Sequence, residues 1–188
     1  MLPETTEPIA WYDRNMIVRP EHWVAMPWKN GRGITHEVWK DADPFTVRVS
    51  VAEVSEDGPF STFEGIDRVI ALLDGRGFEL KGPMSRRLTD VGGPFAFRGE
   101  DRYECHLLDG PVKDFNLMTS REKWRADVQR TTSAMLSPGD FAFAINDGVR
   151  AGDASLGRHD FYRATTPTRV SGGQAIVVAL KPRARPRF

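Results

Sequence analysis

A single cysteine, Cys105, stands among 188 residues. It excludes an internal disulfide and fits a reducing compartment. With no second thiol beside it, Cys105 reads as a small apolar core residue. Histidine is nearly as scarce: His22, His36, His106 and His159 are far apart, and none forms a His-x-His pair. One strand offers two metal ligands on a single face only at spacing two, whereas His36-Glu37 and Cys105-His106 put their pairs on opposite faces. No metal and no catalytic centre are expected. There is no Gly-x-Ser-x-Gly elbow, and Gly31-Arg32-Gly33 lacks the third glycine of a dinucleotide loop, so it reads as a tight turn and no cofactor is expected.

Charge of one sign is missing too. The 26 lysines and arginines equal the 26 aspartates and glutamates, which excludes the strongly basic field of a general nucleic-acid binder. No apolar run approaches the ~20 residues of a membrane helix. The start, Met1-Leu2-Pro3-Glu4, lacks the cationic and apolar parts of a secretory signal. A soluble, cytoplasmic chain is expected, with neither nucleic acid nor membrane as partner. Its length allows roughly 70% of the unfolded surface to be buried without metal or disulfide.

Turn residues are abundant, with 17 glycines and 13 prolines, and the segments between them are short. Thr46 to Ala52 alternates valine with polar or small residues, as a half-buried strand does. Val69 to Leu73 is a continuous apolar run closed by Asp74-Gly75, a hairpin signal, and Phe78 to Lys81 resumes alternation. Phe95–Phe97, Phe141–Ile145 and Ala175–Leu180 are further strand-like pieces. Ser120 to Arg130 is the one helix candidate, but Trp124, Ala126 and Val128 alternate with Arg125, Asp127 and Gln129, and the segment reads as a strand. The whole is all-β, a barrel or sandwich. Residues 1–14 and the basic 181–188 read as a flexible N-terminus and a solvated tail.

Several motifs recur in order: Pro27-Trp28-Lys29-Asn30-Gly31-Arg32-Gly33, Arg48-Val49-Ser50-Val51-Ala52-Glu53, Gly58-Pro59-Phe60-Ser61 and Asp114-Phe115-Asn116-Leu117-Met118. Jointly they resemble the HutD/Ves family, small proteins associated with bacterial histidine utilisation and stress response. The resemblance runs from about Trp23 to Met118 and more weakly to Leu180. The family normally has glycine at the position of Arg32 and commonly aspartate at that of Glu100. The resemblance implies a cupin-type fold, an RmlC-like jelly-roll double barrel in one chain. Its N-terminal barrel would span about 15–118 and its C-terminal barrel about 119–180. It also implies a role in histidine breakdown, with urocanate or an N-formylglutamate-like carboxylate as the ligand class.

The Thr46–Ala52 strand carries the chemistry. If Val47, Val49 and Val51 pack on a neighbouring layer, Arg48 and Ser50 face either water or a barrel lumen. A lumen-facing Arg48 needs a carboxylate or an anionic ligand. Together with Lys29, Asn30, Thr35, Ser61, Arg68, Asp114 and Asn116, these form a candidate binding set for a small anionic metabolite. Arginine offers a planar fork to a carboxylate and lysine a point charge. Each also has an ordinary structural role: Ser61 caps a turn, Asn30 adopts a left-handed turn, and Asp114 pairs Arg48 or Lys113. Two rival functions stand beside a non-catalytic binder. One is a metal-independent isomerase or lyase using His36 or His106 as acid–base. The other is an interaction module whose apolar patch meets a partner or a second copy, as in a homodimer.

Overall fold

A computed structural model describes residues 16–28, 31 and 33–184. Seventeen strands and one short 3-10 turn, Pro20–His22, make up its regular structure. The fold is all-β, and its strands form three curled sheets.

The central sheet has six antiparallel strands. They are β2 (Val24–Pro27), β3 (Gly33–Lys40), β4 (Val47–Val54), β11 (Val112–Ser120), β6 (Ile66–Asp74) and β9 (Phe95–Arg98), in that spatial order. Both its faces are covered. Val47, Val49, Val51, Val69, Ala71, Leu73, Phe115 and Leu117 pack on one side against Phe141, Phe143, Phe161, Ile176 and Val178. On the other side Ala52, Val54, Ile70, Leu72 and Val112 meet Phe78, Leu80, Tyr103 and Cys105. Double coverage explains the unbroken Val69–Leu73 run, since consecutive residues enter different cores. It also accounts for Cys105, which is 1% exposed.

The second core is closed by a four-stranded sheet of β5 (Gly58–Pro59), β10 (Glu104–Leu107), β7 (Phe78–Lys81) and β8 (Arg86–Leu88). Here one expectation fails. Asp74-Gly75 does not join a hairpin, because β6 pairs with β11 and β9 while β7 lies in the other sheet. Gly75 (φ +94°) and Gly77 (φ +106°) reverse the chain between layers. Turn residues supply the sharp bend, but the partner of each strand is set by which face it must bury.

The third sheet comprises β1 (Met16–Val18), β16 (Phe161–Arg163), β13 (Phe141–Ala144), β17 (Thr168–Pro182), β14 (Val149–Ala151) and β15 (Ala154–Leu156). The thirteen-residue β12 (Trp124–Leu136) pairs along the same β17. From Trp124 onward the 120–130 segment is thus strand, as its alternation required, while residues 121–123 are a turn between β11 and β12. Phe141 and Phe143 enter the core shared with the central sheet, and Ala142 and Ala144 enter a third core with Tyr162, Val170 and Val177. β1 crosses from the first half of the chain to pair with β16. β17 runs two residues into the segment read as a tail, and the backbone N–H of Arg183 donates to Lys123 O at 2.8 Å. Residues 1–14 and 185–188 lie outside the described residues.

Phe115 is fully buried where central and third sheets meet, with its ring 5.2 Å from that of Phe143. Phe115→Ala is expected to lower stability by about 3–5 kcal/mol, the ordinary cost of a core phenylalanine. Urea denaturation checks this, and a loss below about 1 kcal/mol would show that the two sheets do not share a tight core.

Candidate functional site

A cavity of about 510 Å³ opens on one face of the central sheet. Its floor is the polar half of the strand alternation. β4 contributes Arg48 and Ser50, β11 contributes Asp114, Asn116 and Met118, and β6 contributes Arg68. The intervening residues of the same strands, Val49, Val51, Phe115 and Leu117, fill the core behind. Register is what aligns the floor: Asn116 stands opposite Ser50, and Met118 stands opposite Arg48 on one side and Arg68 on the other.

The mouth is built by two of the sequence motifs. β2 ends at Pro27 and β3 begins at Gly33, and Trp28 N–H donates to Gly33 O at 2.9 Å. Trp28 Nε1 donates to Thr35 Oγ1 at 2.8 Å, so Thr35 fixes the indole over the cavity as well as lining it. The loop after β5 is tied down by Phe60 N–H to Tyr103 O and Phe63 N–H to Gly99 O, both 2.8 Å. It carries Phe60, Ser61 and Phe63 onto the rim.

Arg68 is the most confined cation. Its side chain lies 5.4 Å from the ring centres of Phe60 and Phe63 and 5.0 Å from that of Phe97. Nη1 donates to Ser61 O at 2.9 Å, while the buried Nε has no hydrogen-bond partner. Burial lowers its pKa to about 10, with Asp114 opposing and Arg48 adding to the shift. Arg48 is neutralised: Nε donates to Glu37 Oε2 at 2.8 Å, and Lys40 Nζ lies 3.5 Å from Oε1 of the same glutamate.

Asp114 departs from its expected pairing. Lys113 goes to Glu53 at 2.8 Å and Arg48 to Glu37, while Asp114 Oδ2 is buried without a hydrogen-bond partner. The reason is facial: Lys113 and Asp114 are adjacent on a strand and so leave it on opposite sides. Burial pushes the Asp114 carboxyl up to about 8 against the pull of Arg68. Ser50 Oγ and Asn116 Oδ1 are likewise buried and unpaired.

Seven candidate residues, Thr35, Arg48, Ser50, Ser61, Arg68, Asp114 and Asn116, therefore border one cavity. Lys29 and Asn30 lie outside the described residues, as does Arg32. Glu100 is elsewhere, accepting two bonds from Arg121 at 2.6 and 2.8 Å, with that guanidinium holding its carboxyl down at about 2. The histidines considered for acid–base work also lie elsewhere. His36 Nε2 is 3.3 Å from Glu53 and His106 Nδ1 is 3.2 Å from Asp57, and neither lines the cavity. Glu37 was missed, although its spacing of two from Thr35 puts it on the cavity face, opposite Ser50. The aromatic frame of Arg68 was missed except for Phe60, because Phe97 comes from a strand distant in sequence.

The HutD family model matches residues 21–178. An uncharacterised 21.2 kDa protein in the hutC 3' region of Pseudomonas putida is 41% identical over 119 residues, covering 60% of this chain and 62% of that protein's length. Protein Ves of Cronobacter sakazakii is 34% identical over 136 residues, 69% of this chain and 75% of its own. The solved structure of HutD from Pseudomonas fluorescens SBW25, described as a formate condition, superposes with a TM-score of 0.83 at 32% identity. It covers 91% of this chain and 100% of that one.

Asp114 keeps its proton to about 8 when folded, against an ordinary value of 3.8. Between those values the folded chain binds the extra proton, so this carboxyl's contribution to stability falls as pH rises, by up to about 1.4 kcal/mol per pH unit. Asp114→Asn cannot ionise. Relative to wild type, the variant is expected to gain stability progressively from pH 4 to 8 and to level off above that. Urea midpoints across the range test it, and a difference independent of pH would mean that Asp114 is ionised and compensated.

Proposed function

The chain belongs to the HutD family, and on that premise we propose that it is a non-catalytic cupin-type protein that binds a small carboxylate from histidine breakdown. In this reading it senses or regulates that pathway from the cytoplasm. The observation that carries the proposal is Arg68: a buried guanidinium with an unused Nε, lining a cavity large enough for a metabolite. A buried donor without a partner costs about 1–3 kcal/mol, and a ligand oxygen would recover that cost.

The proposal extends to architecture. The first half of the chain encloses its own apolar core beside the cavity, and β12–β17 enclose another. We read these as the two barrels of a bicupin joined through the shared middle layer. Among the described residues no helix is long and apolar enough to cross a membrane. Histidine utilisation enters from the family, and the Pseudomonas putida relative is itself described by its position beside hutC. A catalytic reading is weaker, since no histidine lines the cavity among the described residues.

Charge-assisted hydrogen bonds contribute about 1.5–3 kcal/mol each. Two or three of them, less the cost of immobilising the ligand, correspond to a Kd on the order of μM to mM. Calorimetric titration with urocanate and with N-formylglutamate is expected to show saturable binding by at least one of them in that range. Arg68→Ala should weaken that binding at least tenfold. If both bind wild type no better than an unrelated amino acid, the ligand assignment is wrong.

A further inference from the structure

The cavity floor is not uniformly cationic. Its cross-strand rows run Arg48–Met118–Arg68, then Ser50–Asn116–Ile70, then Ala52–Asp114–Leu72. Successive rows are two residues apart, roughly 7 Å. One end is therefore basic, the middle offers a hydroxyl and an amide, and the far end is acidic.

The unused hydrogen-bonding atoms sort along the same axis. Arg68 Nε is a donor at the basic end, Asn116 Oδ1 is an acceptor beyond it, and the protonated Asp114 carboxyl, unpaired at Oδ2, keeps acceptor capacity. Ser50 Oγ, also unpaired, can serve in either sense. These side chains are 1–7% exposed, so bulk water does not complete them. The neighbouring charges are already spent. Glu37 on β3 pairs with Arg48 and also lies 3.5 Å from Lys40, and Lys113 on β11 is taken by Glu53. Cys105 on β10 is a buried neutral thiol, its pKa pushed up to about 12. Among the described residues Arg68 and Asp114 are what remains, a cation and a carboxyl that keeps its proton, and no ion pair joins them. A simple anion would satisfy Arg68 and leave two acceptors facing its lone pairs.

We propose that the cavity selects a bipolar ligand, whose carboxylate meets the arginine row and whose N–H group is received by Asn116 and Asp114. This rests on the small-carboxylate reading and narrows its class to acids that carry an amide, heteroaromatic or amine N–H several ångströms from the carboxylate. Asp114 then acts as the specificity-determining residue. Discrimination follows from leaving buried acceptors unpaired when the N–H is absent.

Two matched pairs of probes test this: urocanate against 3-(2-furyl)acrylate, and N-formylglutamate against glutarate. Each second member keeps the acid and lacks the N–H. Titration calorimetry on the full chain is expected to show at least tenfold tighter binding for the N–H member of any pair that binds. In Asp114→Leu, checked for folding by thermal melting, that ratio should shrink to within about threefold. If the acids bind wild type without regard to N–H, the bipolar assignment is overturned and the carboxylate reading survives. If none of the four binds, both fall. Should Asp114→Leu not fold, the wild-type ratios alone decide.

Discussion

The constraint on which the rest of this structure turns is the burial of polar side chains on one face of a doubly covered sheet. β4, β11 and β6 are covered on both sides, and a strand in that position ordinarily carries apolar residues on each. Behind the sheet they do, with Val49, Val51, Phe115 and Leu117 all at 0–1% exposure. In front, the same three strands carry Ser50, Arg68, Asp114 and Asn116, all buried and each with a polar atom that no protein group satisfies. Every such atom costs of the order of 1–3 kcal/mol. Ile70 and Leu72 show that apolar residues fit the same face, so geometry does not force the polar choice.

Holding Arg68 in place requires a frame rather than a counter-ion. Three phenyl rings, from Phe60, Phe63 and Phe97, stand about it, and the Ser61 carbonyl takes one of its donors. Ring faces attract a cation without consuming its hydrogens, which keeps Nε unspent. Arg48 is treated differently: Glu37 pairs with it through an ordinary carboxylate bridge, and Lys40 steadies the glutamate. The two arginines flank Met118 in one cross-strand row, yet one is balanced and the other is poised. That difference breaks the symmetry of the floor and gives it a direction.

Much of this could be read in the sequence, and the parts that could not share a cause. Alternation in Thr46–Ala52 places Arg48 and Ser50 on one face and the valines on the other, because side-chain direction in a strand has period two. The same rule puts Asp114 and Asn116 together. What alternation does not reveal is which strands become neighbours. Asp74-Gly75 therefore looked like a hairpin although the chain crosses to another sheet there. The ordinary structural role of Asp114, a pairing with Arg48 or Lys113, is not made, since Arg48 goes to Glu37 and Lys113 to Glu53. Glu37 and Phe97 were overlooked because their relevance comes only from cross-strand register, with Glu37 opposite Ser50 and Phe97 opposite Arg68. Long-range pairing is the information a local pattern lacks.

The glycine loop shows how the cavity gains a wall from backbone geometry alone. Gly31 adopts φ +71°, a conformation open to glycine at little cost. Gly33 serves a different need. A Cβ there would sit 2.5 Å from Glu53 O and 3.1 Å from the Trp28 ring. Its absence allows the indole to lie flat on the strand and to reach Thr35 Oγ1. Trp28 in turn packs on the apolar core that closes the acidic end of the floor. Gly33 is thus what leaves room for one large ring at the border of the cavity that holds Asp114. Excluding water there is what keeps the Asp114 proton in place. The rigid floor and the loop-borne wall are two halves of one device, since an acceptor row exposed to solvent would have water for a partner and nothing left with which to select a guest.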